Sequence, residues 1–77
     1  MPSPRPVRLT DRHDMYDHGT LVEVVTVDDG MVYATASKLV GAPGWMVEMA
    51  GNPYPTPVRT KRDAVRLLRR WVTGRLS

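Results

Sequence analysis

The chain has no cysteine. No disulfide framework can staple it, and a zinc site built on thiolates is excluded. This matters because the chain has only 77 residues. A domain of that size buries only about 60% of the surface its unfolded chain exposes. Oligomerisation is then the common remaining route to further burial. No apolar run approaches the ~18 residues of a membrane span. The N-terminal residues also lack the apolar stretch of a secretory leader. The expected location is the cytoplasm, with no membrane partner. Nor is there a Gly-rich phosphate loop, a nucleophile beside an obvious base, or a carboxylate pair at one defined place. The sequence therefore points away from an enzyme, and no cofactor or metal is expected.

What the chain does have is a lopsided charge. Residues 59–77 carry seven basic side chains against one acid, a balance of +6. The preceding 58 residues carry four basic side chains against seven acids, a balance of −3. An acidic body joined to a cationic segment is a common way for a small protein to hold phosphate or an acidic partner. Nine of the eleven basic residues are arginine, whose planar fork donates two parallel hydrogen bonds to phosphate oxygens.

Residues 1–18 read as a flexible arm and lead-in. Pro2, Pro4 and Pro6 fix φ at alternate positions, and residues 11–18 are polar. That stretch holds Asp11, His13, Asp14, Asp17 and His18, competent metal ligands by type. The five-residue spacing of the histidines is not that of a helical ligand pair, so a polar lead-in is the preferred reading. Residues 19–77 read as one domain. Residues 21–27 are rich in β-branched side chains and predict a strand. Asp28-Asp29-Gly30 predicts a hairpin turn, with 31–37 as the return strand. Residues 45–50 predict a third strand, with Trp45, Val47 and Met49 on one face and Met46 and Glu48 on the other. Prolines 53, 55 and 57 remove donors from one side of the next segment. That suits an edge strand closed to aggregation or, equally, a polyproline segment.

Thr60-Lys61-Arg62-Asp63 fits a capping box and predicts a helix over 61–73. Ala64, Leu67, Leu68, Trp71 and Val72 form its apolar stripe, and Arg62, Arg66, Arg69 and Thr73 its opposite face. Gly74 stands where a C-cap is expected. The expected fold is α+β: a small antiparallel sheet of three or four strands with one C-terminal helix packed on one face. The strand at 21–27 is apolar on both faces, so a second subunit or the lead-in is expected over the uncovered side.

From Gly44 the chain reads Gly-Trp-Met-Val-Glu-Met-Ala-Gly-Asn, and then Thr-Lys-Arg-Asp-Ala opens a helix that reaches Trp71. Over about residues 44–73 this resembles the arm-type, AP2-like DNA-binding domains of phage-type tyrosine integrases. The resemblance implies a sheet backed by one helix and an accessory protein of a phage or mobile element. In that family the sheet enters the major groove on basic and polar residues. Here the strands carry Glu23, Glu48, Asp28 and Asp29, with Lys38 as their one cation. The expected function is therefore nucleic-acid binding through the helix, with duplex DNA the favoured ligand. The candidate contacts are Arg59, Lys61, Arg62, Arg66, Arg69 and Arg70. They would grip phosphates and position the protein without reading bases. The alternative is a protein–protein module that dimerises through its sheet, or binds a host protein or an acidic protein surface.

Overall fold

The computed structural model describes residues 5–52 and 54–74. Six strands run in chain order across one antiparallel sheet: β1 (Val7–Thr10), β2 (His13–Asp17), β3 (Leu21–Thr26), β4 (Val32–Lys38), β5 (Trp45–Met49) and β6 (Thr56–Val58). One helix, α1 (Lys61–Gly74), follows. Every strand pairs with its sequence neighbour, so each connection is a local reversal.

The α+β class is as expected, but the sheet has six strands instead of three or four. The two additional strands, β1 and β2, lie in the segment read as arm and lead-in. That segment hides its strands because β2 turns only one side chain, Met15, fully into the core. Cross-strand contacts hold it in place. Arg8 meets Asp14 at 2.6 Å, and Tyr16 lies directly opposite Glu23. The hairpin β1–β2 lengthens the sheet, and among the described residues its second face is left uncovered. Residues 1–4, with Pro2 and Pro4, fall outside the described residues.

The β3–β4 turn follows from its residues. Gly30 has a positive φ of 69°, which glycine adopts at no steric cost. The Asp29 carboxylate accepts from the Thr26 hydroxyl and, at 3.1 Å, from the Met31 N–H. These bonds, the Thr26 one first, hold the Asp29 carboxyl below its ordinary pKa.

The proline-rich segment resolves in favour of an edge strand for its second half. Val58 pairs with Trp45 and Thr56 with Val47, so Pro57 falls at the intervening position opposite Met46. Strand alternation directs the Thr56 and Val58 N–H groups to β5 and turns the donor-less Pro57 nitrogen outward. Tyr54 lies outside the strand and is 78% exposed.

The core lies between α1 and one sheet face. Met15, Val22, Val24, Ala34, Ala36, Trp45 and Val47 from the sheet meet Ala64, Leu68 and Val72 from the helix. Ala34, Ala36 and Ala64 are small, which lets the helix lie close over the sheet. Leu67 and Trp71, expected in the same stripe, are only half-buried and pack at its margin. The helix touches both edge strands, β1 and β6, as well as β4 and β5. Antiparallel sheets twist and curl, and that brings the two edges of this one to the helix. The chain enters α1 through a cap: the Thr60 hydroxyl accepts from the Asp63 N–H at 3.1 Å. Gly74 is still helical and does not adopt the positive φ of a C′ glycine. Among the described residues no helix is long and apolar enough to cross a membrane.

Candidate functional site

The outer surface of α1 follows from its periodicity. With Ala64, Leu68 and Val72 facing the sheet, residues 62, 66, 69 and 70 must face away. Arg62, Arg66, Arg69 and Arg70 are accordingly exposed, as is Arg59 just before the helix. Among the described residues none of these five guanidinium groups has a carboxylate partner. Arg62 and Arg69 stand about 10 Å apart along the axis, at 1.5 Å per residue. Arg62, Arg66 and Arg69 line a shallow depression whose floor is Val65. Thr73, on the same face, donates its hydroxyl to the Arg69 carbonyl at 2.7 Å. Arg75 falls outside the described residues.

Lys61 belongs elsewhere. Its ammonium is 2.8 Å from the Asp17 carboxylate and 5.8 Å from the centroid of the Trp45 ring. It ties the helix start to the end of β2. The structure thus brings five of the six candidate cations together along the helix and turns the sixth toward the body.

The opposite surface differs in sign. The uncovered sheet face presents Asp14, Glu23 and Glu48, with Glu23 and Glu48 both opposite Thr35 on the strand between them. Arg8 holds Asp14, and His18 Nε2 lies 2.9 Å from Glu23. The apolar side chains there, Leu21, Val25 and Met46, are half-buried. His13 turns away from this cluster: its Nδ1 is 2.8 Å from the Thr10 hydroxyl, and its ring meets Tyr33 edge-on at 4.8 Å. Among the described residues no three histidine or carboxylate side chains are placed to hold a metal ion.

The sequence reading did not anticipate a second groove, between α1 and β6. Thr56, Val58, Asp63, Arg66, Leu67 and Arg70 line it. The signal was the half-buried flank of the apolar stripe at Leu67, which lies beyond what the sheet can cover once β6 ends the sheet. Comparison with protein-family models, curated proteins and solved structures returns no match.

Proposed function

We propose that this chain is a small, cytoplasmic, non-enzymatic protein that binds nucleic acid by gripping phosphates on the outer face of α1. The observation that carries this reading is the row of exposed guanidinium groups at Arg59, Arg62, Arg66, Arg69 and Arg70, which have no carboxylate partner among the described residues. Among the described residues Arg8 and Lys61 hold carboxylates, and these five hold none. Each guanidinium offers a bidentate fork suited to phosphate oxygens. Arg62 to Arg69 cover about 10 Å of helix, and with Arg59 and Arg70 flanking them the row reaches about four phosphates of a duplex. The acidic sheet face supports the same orientation, because Asp14, Glu23 and Glu48 would repel a nucleic acid approaching from that side. A role as an accessory protein of a phage or mobile element fits this mode, with the helix rather than the sheet as the binding surface.

The test is a double charge reversal, Arg66→Glu with Arg69→Glu. Both side chains are exposed on the outer face, so the circular dichroism spectrum should not change. Binding to a duplex of mixed sequence should be lost. A variant that binds as tightly as the parent would defeat the reading.

A protein partner is the second reading. It is favoured by the exposed apolar side chains Val27, Met31 and Val32 around the β3–β4 turn. Such a contact would be insensitive to salt.

A further inference from the structure

The groove between α1 and β6 has three kinds of lining. Val58 and Leu67 form an apolar floor, Arg66 and Arg70 a cationic rim, and Thr56 and Asp63 supply a hydroxyl and a carboxylate. Resting on the phosphate-binding reading above, we propose that this groove takes the unpaired base of a single-stranded nucleic acid, with the Arg70 guanidinium stacked on the base and the adjoining phosphate on Arg66.

A surface that only grips phosphate needs cations and nothing else. An apolar floor adds nothing to it, and the Asp63 carboxylate beside Arg66 opposes it. A nucleotide matches all three linings together. Its base has flat apolar faces to lie on Val58 and Leu67. Its edge carries amino groups, which a carboxylate accepts from. Its phosphate is the anion for Arg66. The free face of such a base can stack on a guanidinium plane. In a duplex the base faces are already stacked on one another, so only an unpaired base can use the floor.

The groove is about 310 Å³, near the lower end of the range for ligand sites. That is room for one flat group. A peptide strand is a poor occupant, because Pro57 removes the outward donor of β6 and closes that edge to strand addition. Tyr54, two residues before Thr56 in sequence, is exposed and offers its ring to a following base.

The experiment uses the full chain at low salt with three labelled probes. They are a twelve-nucleotide single strand of mixed sequence, an abasic strand of equal length, and the matching duplex. Affinity is read by fluorescence anisotropy. The base-bearing strand should bind about tenfold or more tightly than the abasic strand, the low end of what one stacked base contributes. It should also outbind the duplex. Arg70→Ala leaves an exposed position and should shrink the ratio of base-bearing to abasic affinity, a ratio from which the shared loss of phosphate contact cancels. Equal affinity for the two strands, tighter binding to the duplex, or a ratio untouched by Arg70→Ala would overturn the base site and leave the phosphate reading standing. No binding to any probe would overturn both.

Discussion

The ammonium of Lys61 lies 2.8 Å from the carboxylate of Asp17, and this contact joins residues 44 apart in sequence, the first turn of α1 and the last residue of β2. The Gly19 N–H donates to the same carboxylate at 2.8 Å. Lys61 also sits over the ring of Trp45, so the contact orders the end of the sheet where the helix begins.

Asp17 titrates accordingly. The hydrogen bond from Lys61, and after it that from Gly19, holds its carboxyl below the ordinary aspartate value. A group whose folded pKa is lowered stabilises the fold above its unfolded pKa, and that stabilisation is lost as pH falls through the folded value. The pair is half-exposed, so its contribution is that of a screened surface pair, about 0.2–1 kcal/mol. Asp17→Asn should lower stability by that amount at pH 7 and narrow the gap between stabilities at pH 7 and pH 3. Urea denaturation at the two pH values measures both. An unchanged stability at pH 7 would mean that the contact is idle.

Leu68 is fully buried at the centre of the helix–sheet contact. Leu68→Ala should cost ~2–5 kcal/mol, from lost transfer energy and the cavity left behind. That is much of what so small a domain has to lose, so the variant should be largely unfolded at room temperature. Circular dichroism on heating shows this directly; a variant that melts like the parent would mean that α1 does not pack there.

Much of this fold was legible in the sequence. The strands at 21–26, 32–38 and 45–49, the turn at Gly30 and the helix from Lys61 appear within a residue or so of expectation. In each of these the side-chain period and the punctuating residues agree. β1 and β2 were hidden because they are held by pairing more than by apolar burial. His13-Asp14-Met15-Tyr16-Asp17 has one core residue, and its remaining partners are charges and rings on neighbouring strands. The arginine face was legible because helical spacing alone fixes it. Lys61 stands apart from those arginines because adjacency in sequence is not adjacency on a helix: one position from Arg62 is about 100° of rotation. The β6 groove needs two elements distant in sequence, and no local pattern announces it.

Gly44 connects the loop to β5 with a positive φ of 114°, and a Cβ added there would lie 2.9 Å from the main-chain oxygen of Val58. Strain and close approach act together, since backbone cannot move aside as a side-chain end does. Gly44→Ala should destabilise by about 1–3 kcal/mol, the cost of a non-glycine residue in such a conformation, and loosen β6 and the packing of Trp45. Amide hydrogen exchange should then rise first in residues 56–58. Parent-like exchange in β6 would contradict the close approach.

The central claim is that guanidinium groups on the outer face of α1 replace counterions on phosphate. Its most direct test is the affinity of the full chain for a mixed-sequence duplex across a salt series. The exposed arginines at 59, 62, 66, 69 and 70 reach about four phosphates, and each neutralised phosphate contributes roughly −0.9 to the slope of log K against log salt. The account predicts a slope of about −3 to −4, the same on unrelated sequences because backbone contacts carry no base information. A slope near zero, or no affinity even at low salt, would contradict it.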